Sequence, residues 1–319
     1  MGALLGLAGC HASTPANPTA AAAPQTAAKP HPRIGVITPP PTTPFPRTLT
    51  DARGQQITLP KPPQCIVSLA PSNTEILYAL DLGNRLVADT TACDYPPEAR
   101  KKPHVGGYAI NIEAVQVQNP DLVVAVGSVN GQAIKALERT KTPLLVIDPK
   151  TVADVYDAIK LIGAATGQDM QAARVVMEMQ ARIDAIKRAV ASTTARPRVF
   201  IVYGVKPTIY TTGPGSFIDD LITVAGGKNI VTTPAPAGNT ISAEQVVTAQ
   251  PDVIIASKGL IPQIRQMPGW ATGVPAVRNN RFFTPGDGAI LERPGPRLAE
   301  GAEELAKYLH PEIFDRSKP

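Results

Sequence analysis

The sequence has few of the side chains from which catalytic and metal sites are usually built. Its 319 residues include three cysteines, four histidines and one tryptophan, and aromatic residues make up only 4%. It contains no GxSxG, P-loop or HExxH motif, and no Cys/His or paired-carboxylate set can be assembled from segments expected to meet. We therefore expect a protein that is not an enzyme and has no cofactor.

The positions of the cysteines and histidines exclude further classes of site. Cys65 begins a predicted strand and Cys93 lies in a loop, so we expect both to remain thiols rather than form a disulfide. There is no CxxC motif, and neither His104 nor His310 has a second histidine nearby. A zinc site made directly from protein side chains is therefore not expected.

Positive charge is present in the sequence but is not concentrated. The formal net charge is +5, and the 43% hydrophobic and 18% charged residues are ordinary for a globular protein. Lysines and arginines are scattered singly or in pairs, without the arginine-rich stripe or aromatic platform of a nucleic-acid-binding protein. We expect no nucleic-acid partner.

The N-terminus carries a predicted targeting signal followed by a low-complexity stretch. The apolar run 3–9 is too short to span a bilayer and leads into Leu-Ala-Gly-Cys, which resembles the bacterial lipobox with Cys10 as the lipidated residue. No Lys or Arg precedes the run, so either the start lies upstream or the match is fortuitous. On this prediction, residues 1–9 are a signal peptide, and the Ala/Pro/Thr-rich residues 10–46 are a disordered tether to the membrane.

One long amphipathic helix is predicted at residues 169–192. The stretch DMQAARVVMEMQARIDAIKRAVAS has no proline or glycine, and its apolar residues recur every three or four positions. At about 1.5 Å per residue this helix would be roughly 36 Å long, which is more than one small lobe needs. We therefore interpret it as a rod that joins two bodies.

The folded part of the chain is predicted to begin near Arg47 with a hairpin, RTLTDARGQQITLP. The next segment, CIVSLAPSNTEILYALDLG, predicts a buried strand, a tight loop and a helix from about Thr74 to Leu80. Ser72 and Asn73 lie where the strand gives way to the helix, at the edge of an α/β sheet where ligands bind. We assign both to the ligand site, with N-capping of the helix as the alternative.

A two-part pattern occurs once before the long helix and once after it. NIEAVQVQNPDLVVAVG and SAEQVVTAQPDVIIASKG each run from a helix cap through a glutamate to Pro-Asp and a buried strand. They begin at Asn111 and Ser242, 131 residues apart, and the strands CIVSLA and RVFIVYG match at a similar offset. Alternating strands and helices predict two similar α/β lobes, each with a mainly parallel sheet. The predicted boundaries are 47–166 for the N-terminal lobe, 167–195 for the bridging helix and 196–319 for the C-terminal lobe.

Several motifs together resemble one protein family. RVFIVYG…IYTTGPGSFIDDLITVAGGKNI, the CDYPP loop, VGGYAINIEAV…NPDLVVA and ILERPGPRLAEGAEELAKYLHPE look like the cobalamin and iron-siderophore group of ABC-transporter substrate-binding proteins. The resemblance implies two α/β lobes bridged by one long helix, with the ligand in the cleft between them and little lobe movement on binding. It also implies an extracytoplasmic monomer that delivers a small metal-complex ligand to a permease and its ATPase.

The resemblance gives the repeated glutamates a possible role in docking. Asn111 and Ser242 are predicted to cap helices, which places Glu113 and Glu244 in first turns, where a carboxylate interacts with the helix dipole by about 0.3–1 kcal/mol. That interaction alone would account for both. In the family, one exposed glutamate on each lobe pairs with arginines of the permease, and these two residues match those positions. We predict that both dock to a permease.

The resemblance also selects candidate residues for ligand contact. Corrinoid receptors of the family hold their planar ligand between aromatic side chains. Tyr108 and Tyr203 lie close to such positions, and Asp94 and Tyr95 belong to the CDYPP loop. The alternative for the tyrosines is a place in the hydrophobic core. Other positions that are aromatic in cobalamin receptors hold small or aliphatic residues here: Ala92, Val126 and Gly238.

Arg293, in LERPGPR, matches a cleft arginine of the family and could bind a phosphate, amide or carboxylate of the ligand. The alternative is an ion pair with Glu292 or Asp287. The sequence thus predicts a lipid-anchored receptor for a cobalamin-like corrinoid. A ferric siderophore or haem is the alternative ligand, and a permease-independent surface sensor or metal-complex-processing enzyme is the alternative of another class.

Overall fold

Two four-stranded parallel sheets, one before and one after a pair of long helices, organise the folded chain. The computed structural model describes residues 44–234, 239–286 and 289–314. The predicted signal peptide, Cys10 and most of the predicted tether lie outside the described residues, as do Gly238 and Asp287. None of the helices in the described ranges combines the length and hydropathy needed to cross a bilayer.

The N-terminal lobe begins with the predicted hairpin and continues as a parallel sheet. Its elements are β1 (Arg47–Thr50), β2 (Gln56–Leu59), β3 (Ile66–Ser68), α1 (Pro71–Ala79), β4 (Leu86–Ala88), a 3₁₀ helix (Pro97–Lys101), α2 (Ile112–Val117), β5 (Leu122–Val126), α3 (Gly131–Leu137) and β6 (Leu144–Ile147). The first two strands pair antiparallel, as predicted. The other four are ordered β4-β3-β5-β6 and pair in parallel. All residues of β5 and β6 are buried, which explains their continuous apolar sequences.

Two consecutive helices, α4 (Val152–Thr166) and α5 (Asp169–Val190), lead from the first sheet to the second. The predicted long helix is therefore confirmed, although it ends at Val190 rather than at Ser192. Helix α4 lies within residues 47–166, which the sequence predicts to be the N-terminal lobe. This helix begins at a capping box between Thr151 and Asp154 and ends at Gly167, whose φ of 77° is in the left-handed region that glycine tolerates.

The C-terminal lobe repeats the topology of the N-terminal lobe. Its elements are β7 (Arg198–Val202), β8 (Ile209–Thr211), α6 (Phe217–Val224), β9 (Lys228–Asn229), β10 (Asn239–Ile241), α7 (Ala243–Ala249), β11 (Val253–Ala256), α8 (Ile261–Arg265), α9 (Trp270–Gly273), α10 (Pro275–Arg278), β12 (Phe282–Phe283), α11 (Leu298–Leu309) and α12 (Pro311–Phe314). The parallel sheet has the order β9-β7-β11-β12. Strand by strand this order matches β4-β3-β5-β6, so the repeat predicted from sequence is confirmed in the fold.

The two repeated segments also have the same local backbone. Asn111 and Ser242 each accept a hydrogen bond from the backbone N–H three residues later, so both predicted helix caps form. The residues before the two prolines, Asn119 and Gln250, have φ values of 45° and 47°. Each copy therefore ends its helix by the same left-handed turn and enters its strand through Pro-Asp.

The aspartate after each proline fixes the neighbouring strand. Asp121 accepts hydrogen bonds from the backbone N–H groups of Gln64 and Cys65, at 2.8 and 2.9 Å, just before β3. Asp252 accepts one at 2.8 Å from the N–H of Arg198, the first residue of β7. Equivalent carboxylates thus satisfy equivalent strand ends, which explains why Pro-Asp recurs in both copies.

The buried face of α5 joins the cores of both lobes. Its buried residues recur at helical spacing: Ala172, Val175, Val176, Met179, Ile183, Ile186 and Val190. They belong to one apolar cluster that extends from Leu77 of α1 to Leu305 of α11. Because this helix packs against both lobes along its length, a change in lobe angle would have to disturb a close-packed core.

Candidate functional site

A buried group of charges, which we call the interlobe cluster, connects Glu75 of α1 with Arg293 and Arg297, just before α11. The Glu75 carboxylate accepts hydrogen bonds from Arg293 Nη1 at 3.0 Å and from Arg297 Nη2 and Nε at 2.8 and 2.9 Å. The side chains of Glu75 and Arg297 are only 2% and 9% exposed. Charge-assisted hydrogen bonds are strong in such surroundings, so the cluster ties the two lobes together.

The CDYPP loop lies against the interlobe cluster. Asp94 Oδ1 accepts a hydrogen bond from Arg293 Nη1 at 2.6 Å, and the Ala92 carbonyl oxygen accepts one from Arg293 Nη2 at 3.3 Å. The guanidinium carbon of Arg297 lies 3.7 Å from the centre of the Tyr95 ring, a cation–π contact. The structure thus brings together Asp94, Tyr95 and Arg293, three of the residues assigned to the ligand site from sequence.

The ion-pair partners of Arg293 are in the other lobe. The alternative of a local pair with Glu292 is wrong, because the carboxylates that bind the guanidinium belong to Glu75 and Asp94. Asp287 lies outside the described residues. Burial lowers the pKa of Arg293, but the hydrogen bonds to Asp94 and Glu75 outweigh burial and raise its pKa above the ordinary value. Arg293 is therefore a charged side chain that is already neutralised by protein groups.

Helix α1 begins at Pro71, before the predicted residue Thr74, and so includes the two ligand-site candidates Ser72 and Asn73, which are buried. Pro71 occupies its first turn, where a missing N–H is no loss, and Ala70 precedes it as a cap without a side-chain hydrogen bond. The capping alternative for Ser72 and Asn73 is therefore wrong. Their side chains are 5% and 0% exposed, and the Asn73 amide donates to the Val124 carbonyl at 3.1 Å. Such burial leaves them little surface for ligand contact.

The two remaining aromatic candidates are exposed. Tyr108 lies in the turn 106–110 and is 100% exposed, and Tyr203 follows β7 and is 44% exposed. The core alternative is therefore wrong for Tyr108, whereas Tyr203 is partly buried. The phenol of Tyr203 is protonated at neutral pH, as an ordinary tyrosine is, and desolvation followed by the charge of Glu292 raises its pKa further. A protonated phenol can donate a hydrogen bond to a ligand acceptor.

The two glutamates of the repeat are accessible to a partner. Glu113 and Glu244 lie in the first turns of α2 and α7, and both are exposed. The pKa of Glu244 is lowered, first by a hydrogen bond from its own backbone N–H and then by the Ser242 hydroxyl. The helix caps exist as predicted, and docking to a permease stays a prediction.

A buried Asp–His pair, which the sequence did not reveal, joins the two N-terminal loops that carry the candidates. Asp89 is 0% exposed, and its Oδ1 lies 2.8 Å from Nδ1 of His104. Burial raises the pKa of Asp89 to about 6, against the opposing effect of His104. Backbone hydrogen bonds on both sides of Asp89 connect the loop with Asp94 to the loop with Tyr108. A lone Asp and a lone His, 15 residues apart, give no recognisable motif.

Cys93 is buried beneath the CDYPP loop. It is 1% exposed, and its sulfur lies 3.2 Å from the hydroxyls of both Thr74 and Thr90. Burial raises its pKa, so the group is an unreactive thiol at neutral pH. Cys65 and Cys93 form no disulfide with each other. Within the described ranges, no group of three or more His, Cys, Asp or Glu side chains is placed to hold a metal ion.

A cavity of about 420 Å³ adjoins the interlobe cluster where α1, α5 and the start of α11 converge. Its walls include Tyr78, Tyr95 and Met179, with Arg174 and Arg297 among its charged residues. The volume is within the range of small-molecule sites. Of the residues assigned to the ligand site from sequence, Tyr95 lines this cavity.

Sequence comparison identifies the family to which this two-lobed structure belongs. Residues 66–287 of the sequence match a protein family that is described as periplasmic binding protein. The chain belongs to the periplasmic binding protein family. This result confirms the family resemblance that the CDYPP, NPD and LERPGPR motifs indicated.

Individual relatives of this periplasmic binding protein agree with that assignment. It is 36% identical over 281 residues to the uncharacterized ABC transporter substrate-binding lipoprotein YvrC of Bacillus subtilis (strain 168), covering 85% of this chain and 87% of that protein. The crystal structure of the periplasmic vitamin B12 binding protein BtuF of Vibrio cholerae has a TM-score of 0.69 and 28% identity, covering 81% of this chain and 100% of that one. The periplasmic heme-binding protein RhuT from Roseiflexus sp. RS-1 has a TM-score of 0.71 and 25% identity, covering 78% and 99%. These relatives are binding proteins, in agreement with the predicted absence of catalysis.

Proposed function

We propose that this periplasmic binding protein captures a cobalamin-like corrinoid outside the cytoplasm and delivers it to the permease and ATPase of an ABC importer. The observation that carries the proposal is the similarity to the vitamin B12 binding protein of Vibrio cholerae, which extends over 100% of that chain. The similarity to YvrC, named as an ABC transporter substrate-binding lipoprotein, supports the importer. The ligand would lie between the carboxyl ends of the two parallel sheets, where α/β folds bind their ligands.

The exposed tyrosines provide a chemical basis for binding a large planar ligand. Tyr95, Tyr108 and Tyr203 keep 40%, 100% and 44% of their surfaces exposed, so their rings can still be covered by a ligand. Aromatic rings provide large contact areas at small entropic cost. Tyr95 and Tyr108 come from the two loops joined by Asp89, and Tyr203 comes from the C-terminal lobe.

Haem or a ferric siderophore is the second candidate ligand. Two positions at which cobalamin receptors have aromatic residues hold Ala92 and Val126, and Val126 is only 4% exposed at the end of β5. This site therefore offers less aromatic surface to a corrinoid than those receptors do. The similarity to a heme-binding protein of the same fold supports this second candidate.

Calorimetric titration of the purified chain distinguishes these ligands. Trp270 is fully buried against Phe200, with ring centres 6.2 Å apart, so tryptophan fluorescence would report on the core rather than on the cleft. We therefore choose heat as the signal and cyanocobalamin, cobinamide, haem and ferric siderophores as ligands. Saturable binding of a corrinoid supports the leading proposal. If neither corrinoid binds but haem or a siderophore does, the leading proposal is wrong and the second candidate takes its place.

Docking through Glu113 and Glu244 is the second part of the proposal. Reversing both charges, Glu113→Arg with Glu244→Arg, should abolish transport into vesicles that contain the permease and ATPase, because arginine would face arginine. Ligand binding should not change. The matched control, Asp157→Arg with Glu303→Arg, makes the same charge change at exposed acids on α4 and α11. Uptake that survives the first double substitution contradicts docking at these residues.

Attachment to the membrane through Cys10 completes the proposal. The relative YvrC is named as a lipoprotein, and Leu7-Ala8-Gly9 precedes the cysteine in this sequence. Replacing Cys10 by serine should release the protein from the membrane fraction without changing ligand binding. A permease-independent sensor or metal-complex-processing enzyme, the alternative of another class, predicts instead that ligand uptake continues when this protein is absent.

A further inference from the structure

The guanidinium group of Arg293 already donates three hydrogen bonds to other groups of the protein. Nη1 donates to Glu75 at 3.0 Å and to Asp94 at 2.6 Å, and Nη2 donates to the carbonyl of Ala92 at 3.3 Å. The side chain is 16% exposed. A ligand that approaches Arg293 therefore meets a guanidinium group that is already bound to two carboxylates. Both carboxylates are bound to Nη1, so an anionic group of the ligand can take Nη1 only when one of these carboxylates leaves.

The two carboxylates differ in how firmly they are held. Glu75 is 2% exposed and receives two further hydrogen bonds from Arg297, so moving it would break three charge-assisted hydrogen bonds in a buried place. Asp94 is 44% exposed and belongs to a loop. Its second oxygen lies 3.7 Å from Arg100, whose side chain is 68% exposed. Asp94 is thus the exchangeable partner, and Arg100 can receive it after it moves.

We propose that Asp94 is a resident anion, displaced from Arg293 by a carboxylate or phosphate of the incoming ligand. It thereby sets the preference of the site between anionic and neutral ligands. This inference rests on the proposed function in one respect, that the ligand binds between the lobes. Asp94 is then a specificity-determining residue that weakens the binding of every anionic ligand, because it competes with the ligand for Arg293. A guanidinium forms its best bonds with carboxylate and phosphate, so the competitor and the ligand group are of one chemical class.

The substitution Asp94→Asn tests this competition. It removes the competing charge and leaves a side chain of nearly the same size, so Arg293 becomes available to an external anion. Inorganic phosphate is the probe, because it needs no knowledge of the transported ligand. We expect Asp94→Asn to bind phosphate about tenfold more tightly than the unmodified chain, the size of one strong charge-assisted contact. The measurement is calorimetric titration of the full chain, with thermal unfolding to verify folding.

Two controls separate local competition from a general change of charge. Asp157→Asn makes the same change at a carboxylate that is 75% exposed and pairs with Lys160, and it should bind phosphate like the unmodified chain. The double variant Asp94→Asn with Arg293→Met should lose the gain. Equal phosphate affinity in Asp94→Asn and Asp157→Asn would overturn the proposal, as would a gain that persists without Arg293.

The two proposals can fail separately. If haem or a siderophore binds instead of a corrinoid, the leading ligand assignment is wrong, but the phosphate result still decides the role of Asp94. With a ligand that has been shown to bind, Asp94→Asn should favour a form with free carboxylates over its neutral amide or ester. An unchanged ratio of the two affinities also contradicts the proposal.

Discussion

The interlobe cluster should make a large contribution to the free energy of unfolding, and Glu75→Gln tests it. Glu75 is 2% exposed and is the acceptor of three hydrogen bonds from two arginines. Glutamine keeps the shape and one oxygen acceptor but removes the negative charge. The substitution weakens three buried charge-assisted hydrogen bonds, two of which come from Arg297, which is 9% exposed.

The size of the effect follows from the burial of the pair. Breaking a buried ion pair by removing one partner typically destabilises a protein by 3–5 kcal/mol. Since glutamine still accepts a hydrogen bond, we expect Glu75→Gln to cost about 3 kcal/mol. For a chain of this size that corresponds to a fall in Tm of about 5 °C.

The control for Glu75→Gln is an exposed ion pair that also involves α11. Arg182 of α5 and Glu300 of α11 lie 3.1 Å apart with side chains 52% and 46% exposed. Exposed pairs contribute about 0–1 kcal/mol, so Arg182→Gln should hardly change the stability. Urea denaturation and thermal scans of both variants measure the difference. Equal stability of Glu75→Gln and Arg182→Gln would show that the interlobe cluster does not hold the lobes together.

Three further predictions follow from the structure. Burial raises the pKa of Asp89 from 3.8 to about 6, so its stabilising contribution is complete below about pH 4 and is lost as pH rises through 6. Relative to Asp89→Asn, the unmodified chain should lose about 2 kcal/mol between pH 4 and 7, and parallel pH–stability curves would contradict this. Cys93 is 1% exposed, so Ellman's reagent should not react with it in the native chain. Cys93→Ser should therefore leave the number of thiols that react in the native chain unchanged and lower the number in the denatured chain by one. Small-angle scattering should show nearly the same radius of gyration with and without ligand, and a large contraction would mean that α5 is not a rigid connection.

The parts of the fold that the sequence predicted are those encoded by local signals. The long helix is a stretch of helix-forming residues without proline or glycine, and both copies of the repeat have a cap, a left-handed turn and Pro-Asp within one short segment. Such features act over a few residues, so they can be recognised in the sequence without knowledge of tertiary contacts. The start of α1 was misplaced because a proline after a strand is equally compatible with a loop and with the first turn of a helix.

The interlobe cluster could not be predicted because its charges are distant in sequence and ordinary in their local context. Glu75 is a single acid in an apolar helix, and the arginines that bind it are 218 and 222 residues away. Sequence proximity instead pointed to Glu292, the immediate neighbour of Arg293. The same long-range contact changes the role of Asp94. Its position next to Tyr95 in the sequence suggests a residue that contacts the ligand. In the fold, however, Asp94 is hydrogen-bonded to Arg293, the arginine that an anionic ligand would need. Whether this site accepts an anion is therefore decided by the contact between the lobes rather than by the presence of the arginine alone.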